Sequence, residues 1–279
     1  YISEGWPKAL PNDWDLGWVS DVAVDSEHHI WVLQRPTVFS NQTNDNPDGI
    51  PIPTHNPAPA VLEFNQAGDV IRAWGGQAWD AENESWYPTI DGWPFNYEHG
   101  IYIDGDDNVW ITWALEQHYL MKFTPEGEPL MSIGSVGETG GSDNTDLLGG
   151  PADVVVDDIA HEVFVADGYI NRRVIVFDSE TGAYKRHWGV YGNPATDGPR
   201  DQPNERFVGA IHGITMANDG LLYVLDREGN RVQVFEKDGT FVSEITNTPA
   251  FDIALSPDRA NQLLYLGLGG NFRASQMLG

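Results

Sequence analysis

The 279-residue sequence predicts an all-β fold, a single β-propeller domain over residues 1–279 with five recognisable four-stranded blades. Three observations carry this reading. One pattern starts five times, at "DVAVDSEHHIWVLQR", "GIYIDGDDNVWITWA", "DVVVDDIAHEVFVADGY", "GITMANDGLLYVLDR" and "DIALSPDRANQLLYLGL". Each copy alternates apolar and polar residues, turns through Asp, Asn or Gly, and resumes as an aromatic-containing strand. The copies recur every ~40–50 residues, the period of a propeller blade, and no long amphipathic helix pattern is evident.

The elements follow in order. Residues 1–18 read as an extended N-terminal arm. Two strands of the first blade come next, followed by long insertions near 36–59 and 76–95, rich in Pro, Asn and Trp. Loops of this length often line a binding face, and their composition fits ordered surface excursions better than helices. Third strands end in Phe in "PAVLEF", "HYLMKF", "RRVIVF" and "NRVQVF", and polar turns lead to fourth strands such as "DSETGAYKRHWG" and "EKDGTFVSEI". The fifth copy loses its alternation, so the fifth blade is expected to be incomplete near 265–279. A propeller lacking its last blade exposes apolar edges, so self-association is expected in that case.

Composition narrows the function classes. Forty-two acidic residues against 15 basic ones give a formal net charge of −27, which repels phosphate backbones and disfavours non-specific nucleic-acid binding. With no cysteine, disulfides, thiolate nucleophiles and cysteine zinc sites are excluded. No segment approaches the ~18 uninterrupted apolar residues of a membrane span. The chain starts at Tyr1, and a secreted or periplasmic protein with its signal peptide removed is expected.

Two repeated positions carry the chemistry. The residue ahead of each first-strand alternation is Ser20, His99, Ala152, His212 or Phe251. In a propeller this slot lies near one mouth of the central channel. Histidines from alternate blades suit a three-histidine metal site with an open position, whereas the structural alternative is hydrogen bonding to a neighbouring turn. His28, His29, His55, His118, His161 and His187 share no spacing and read as ordinary. The end of the second strand supplies Arg35 and Arg227 at matched positions, with Tyr169 one place further on. An arginine there can clasp a carboxylate, and a tyrosine near a cation can act as a base. Rim salt bridges and aromatic packing are the alternatives. Asp21, Asp153 and Asp252 also recur at one slot, as ligands for a divalent cation or, preferably, as hydrogen-bond partners of a neighbouring blade.

"ADGYINRRVIVF" and "LDREGNRVQVF" resemble the NHL repeat of six-bladed propellers. Together with "HGIYIDGDDNVWIT", "PADVVVDDIAHEVFVADGYINRRVIVF" and "HGITMANDGLLYVLDREGNRVQVF", they make the chain resemble the peptidyl-α-hydroxyglycine α-amidating lyase family across all five blades. The resemblance implies a six-bladed propeller that cleaves a C-terminal α-hydroxyglycine into a peptide amide and glyoxylate, with zinc in its channel. It makes His99 and His212 zinc ligands, Tyr169 the base, Arg35 the stabiliser of the tyrosinate and Arg227 the holder of the substrate carboxylate. It implies a structural calcium on the main-chain oxygens of Val22 and Ile101. The family's third zinc histidine and its disulfides have no counterpart here. A divalent-cation lactonase and a non-catalytic propeller binding a protein or glycan are the alternatives. The expected partner is a small molecule or peptide C-terminus.

Overall fold

The computed structural model describes residues 5–39, 56–80, 82–83, 85–198, 206–256, 258 and 262–268. The chain divides into two compact units, Tyr1–Glu138 and Thr139–Gly279. In the first unit, β1 (Trp18–Val24), β2 (Ile30–Arg35), β3 (Val61–Phe64) and β4 (Val70–Trp74) form a sheet in chain order. A hairpin follows, β5 (Gln77–Asp80) with β6 (Ser85–Pro88). A second four-stranded sheet consists of β7 (Glu98–Ile103), β8 (Val109–Trp113), β9 (Tyr119–Phe123) and β10 (Pro129–Gly134).

The second unit repeats the plan. One sheet contains β11 (Pro151–Asp157), β12 (Glu162–Asp167), β13 (Arg173–Asp178) and β14 (Tyr184–Trp188). The next contains β15 (Ile211–Met216), β16 (Leu222–Asp226), β17 (Arg231–Phe235) and β18 (Phe241–Thr246). A two-stranded ladder, β19 (Ala250–Leu255) with β20 (Leu264–Leu268), is what the described residues hold of the fifth blade. Its expected decay beyond 268 lies outside them. The fold is all-β, built from the antiparallel meanders that make propeller blades.

Strand position within a blade sets burial. The middle strands β3, β8 and β17 are buried along their whole length, whereas the fourth strands β4 and β18 hold no buried residue. The polar members of the middle strands, Glu63, Thr112, Arg231 and Gln233, are buried with the apolar ones. The arm is docked: Trp6, Leu10, Trp14 and Leu16 pack on Val32, Leu62 and Phe64. The second insertion is a surface excursion only in part, because it delivers Trp93 to the core. Trp93 packs edge-on against Trp113, with ring centroids 4.8 Å apart. Of the first insertion, Pro36–Phe39 is a 3-10 turn and 40–55 lie outside the described residues.

Neighbouring blades within each unit are joined by two repeated devices. Asp21 Oδ2 accepts the N–H of Ile101 at 2.8 Å, and Asp153 Oδ2 accepts that of Ile214 at 2.8 Å. The blade's last tryptophan also lies against the next blade's third-strand Phe: Trp74 on Phe123 and Trp188 on Phe235. A turn glycine covers each indole. A Cβ at Gly127 would stand 2.7 Å from Trp74, and one at Gly239 would stand 2.9 Å from Trp188.

Candidate functional site

The slot lies inside the first strand of each blade, at a break in the ladder register. The ladder register shifts between Val19 and Asp21, Glu98 and Ile101, Pro151 and Asp153, Ile211 and Gly213, and Ala250 and Asp252. Ser20, His99, Ala152, His212 and Phe251 are therefore the residues at the irregularity. A bulge leaves a residue out of the ladder and re-aims its side chain. Just past the ends of two second strands, Tyr169 and Arg227 meet the slot residues His212 and Phe251, and Arg35, at the end of a third, meets Glu98 beside His99.

In the second unit, Tyr169 Oη lies 2.9 Å from His212 Nε2, with the rings edge-on. The Arg227 guanidinium sits between two rings, 5.5 Å from the centroid of Tyr169 and 5.4 Å from that of Phe251. Its Nε and Nη2 donate to Glu228 Oε1 at 2.8 and 2.6 Å. Burial alone would lower the Arg227 pKa, but the bonds and charges of Glu228 and Tyr169 outweigh it and raise the value.

The "DGYINRR" and "DREGNR" segments hold these groups in place. Asp167 accepts the Gly149 N–H at 2.6 Å, Asn171 Nδ2 at 2.7 Å and Arg173 Nε at 2.9 Å. The Asp167–Arg173 side chains are completely buried, and Arg173 also donates to the carbonyls of Ser142 and Leu147. Within this clamp the Tyr169 N–H bonds to Gly150 O at 3.0 Å. Gly168 lets the loop touch β15, since a Cβ there would stand 2.2 Å from Ile211 N. That contact brings Tyr169 within reach of His212. Blade four uses the same pair, Asp226 with Arg231 at 2.9 Å, around the turn that starts at Arg227.

In the first unit, Arg35 Nε donates to Glu98 O at 2.8 Å, the carbonyl just before His99. Glu98 itself is buried. Trp93 Nε1 donates to its Oε1 at 3.0 Å, and among the described residues Oε2 has no hydrogen-bond partner. Burial pushes the Glu98 pKa up to about 7, against the opposing Trp93 bond and Arg35 charge. Val22 and Ile101 lie on adjacent first strands, and their N–H groups both bond to the Asp21 carboxylate. That arrangement uses Asp21 as a blade clasp. Tyr169, His212 and Arg227 thus converge in one unit, while Arg35 shares the other with His99, Val22 and Ile101.

The donors can be tested against a metal. A catalytic zinc takes three protein ligands and leaves a fourth position open. Among the described residues, neither His99 nor His212 belongs to a group of three metal-ligating side chains. The group that does form is Asp25, His29 and Glu63, whose ligand atoms lie within 4.8 Å of one another. It could hold a cation, yet each carboxylate already has donors. Asp25 accepts Trp31 Nε1 at 2.9 Å, and Glu63 bonds His29 at 2.7 Å and Arg72 at 2.5 Å. Blade two places Asp104, Trp110 and Lys122 equivalently, with Lys122 Nζ 3.1 Å from Asp104. The group therefore repeats a structural blade network. Two histidines are one ligand short of the three that a catalytic zinc takes from protein.

Sequence reasoning missed Glu228, Glu98 and the role of Phe251. Phe251 occupies the histidine slot, which was its available signal. Glu228 directly follows Arg227 but reads as an ordinary solvated charge.

Residues 211–235, from β15 through β17, match the NHL repeat. The Streptogramin B lyase structure aligns with 95% of this chain and 87% of its own at 12% identity, TM-score 0.50, a likeness of fold alone. The chain thus carries a match to one NHL repeat within an all-β fold of propeller-like blades. It is homologous to peptidyl-alpha-hydroxyglycine alpha-amidating lyases. It is 29% identical over 244 residues to the Drosophila melanogaster Peptidyl-alpha-hydroxyglycine alpha-amidating lyase 1, covering 74% of this chain and 44% of the relative. With Peptidyl-glycine alpha-amidating monooxygenase B of Xenopus laevis the identity is 38% over 154 residues, covering 54% of this chain and 16% of that protein. The chain thus spans less than half the length of either relative.

Proposed function

We propose that the protein is a lyase that splits an α-hydroxylated amide, a carbinolamide ending in a carboxylate, into an amide and a glyoxylate-like carbonyl product. The observation that carries this reading is the Tyr169–His212 hydrogen bond beneath the Arg227 guanidinium. The Tyr169 oxygen takes the substrate hydroxyl proton while passing its own to His212 Nε2. The C–O bond becomes a carbonyl, the C–N electron pair leaves on the amide nitrogen, and that nitrogen takes up the proton passed to His212, which returns the site to its starting state. Arg227 holds the carboxylate; the charge-stabilising role that the resemblance implies for Arg35 is tested separately, by turnover of Arg35→Gln.

No step in this scheme runs through a metal. Zinc on His99 and His212, and calcium at Val22 and Ile101, are tested separately by metal analysis of the purified chain. The lactonase alternative loses support because Asp21 and Asp153 already clasp adjacent strands. The same reading makes this a secreted or periplasmic protein acting on a small molecule or peptide C-terminus. No helix among the described residues is long and apolar enough to cross a membrane. The test is glyoxylate release from α-hydroxyhippurate, with and without added zinc. Turnover that falls on Tyr169→Phe is expected; a folded protein inactive under both conditions overturns the reading.

A further inference from the structure

We propose that Glu228 is a built-in competitor for the carboxylate seat on Arg227, and so determines how tightly the site takes carboxylate ligands. The inference rests on the reading of Arg227 given above. A guanidinium offers two faces and its edges. Here the guanidinium carbon lies over the Tyr169 and Phe251 rings, and its N–H edges are what a carboxylate can engage. The Nε–Nη2 edge can clasp a carboxylate through two parallel bonds. Glu228 Oε1 already takes both donors, at 2.8 and 2.6 Å.

Glu228 also has a prepared seat. A Cβ on Gly209 would stand 2.1 Å from Glu228 Oε2 and 2.5 Å from its Cβ, so only glycine leaves room for this side chain. Asn230, Pro249, Ala250 and Phe251 complete an open depression of about 210 Å³ beside the pair. The Glu228 side chain remains 37% exposed, enough to swing into solvent when displaced. A ligand carboxylate entering this edge must break the Glu228 bonds and then share the depression with a second negative charge. Neutral ligands meet neither obstacle.

The experiment titrates hippurate, an unreactive acylglycine carboxylate, and its neutral primary amide into the full chain by calorimetry. Glu228→Gln is expected to bind hippurate on the order of tenfold more tightly, with the neutral amide unchanged, because it removes a charge-assisted competitor. Gly209→Ala keeps the carboxylate but pushes it off its seat, and should shift hippurate the same way. Arg227→Gln should bind hippurate more weakly than the unaltered chain. If Arg227→Gln weakens hippurate but neither Glu228→Gln nor Gly209→Ala strengthens it, the competitor is overturned and the Arg227 reading stands. If Arg227→Gln binds as well as the unaltered chain, or no form binds hippurate, both fall.

Discussion

At the scale of single residues, the site depends on a few close approaches. Tyr169 reaches His212 because Gly168 allows its loop to touch Ile211. Gly168→Ala should therefore move the loop off β15 and separate the Tyr169 hydroxyl from Nε2, with a loss of turnover approaching that of Tyr169→Phe. For Tyr169→Phe the expected fall in kcat is about 10²-fold or more, the scale of a lost proton-transfer group. Glyoxylate assays on the two variants, with circular dichroism as the folding check, measure both effects. His212 Nε2 cannot ligate a cation and keep the tyrosine bond together, whichever of the two groups donates, so metal at that atom would release the hydroxyl. Tyr169, His212 and Arg227 were legible in the sequence because the repeats align them at equivalent strand ends. The bulge beneath His212 was not legible, since register belongs to the pairing of two strands and one strand's composition does not encode it. Glu228 was hidden for another reason: its role comes from the bare Cα of Gly209, nineteen positions earlier.

At the scale of strands and blades, the repeated aspartates do what their spacing suggested. Asp153 bonds the N–H of Val154 at 2.7 Å and that of the buried Ile214 at 2.8 Å. Asp153→Ala orphans a buried donor and should cost about 1–3 kcal/mol by urea denaturation, with Asp153→Asn costing less because an acceptor remains. The outer strands give a pH test. Arg186 holds the Glu162 carboxyl below its ordinary value through bonds of 2.7 and 2.6 Å. A depressed carboxyl contributes stability above its unfolded pKa and loses it as pH falls through the folded one. Arg186→Gln should therefore destabilise by about 1 kcal/mol at pH 7, and the gap should close as pH drops below the ordinary glutamate range. Thermal melts of both proteins between pH 3 and 7 would check the sign. The sequence did not reveal Trp93 as core, because it lies in a Pro- and Trp-rich insertion without periodicity; only packing against Trp113 and Phe123 identifies it.

Across the whole molecule, charge is the dominant imbalance. With 42 acidic and 15 basic residues, the net charge is −27. Clasps such as Arg173–Asp167 and Arg231–Asp226 engage part of the small basic complement in buried pairs, which bulk salt screens weakly. The excess carboxylates repel one another more strongly in the compact state than in an expanded chain. Counter-ions relieve that repulsion over distances set by a Debye length of roughly 30 Å at 0.01 M and 10 Å at 0.1 M. Sodium chloride should therefore raise the melting temperature steeply up to ~0.1–0.2 M and then more gently. Potassium chloride should act equally well at matched ionic strength, because screening responds to charge and not to the identity of the cation. A calcium-specific rise at far lower concentration would instead reveal a bound ion, for which the main-chain oxygens of Val22 and Ile101 are the proposed place. A melting temperature independent of monovalent salt would show that electrostatic self-repulsion does not limit this fold.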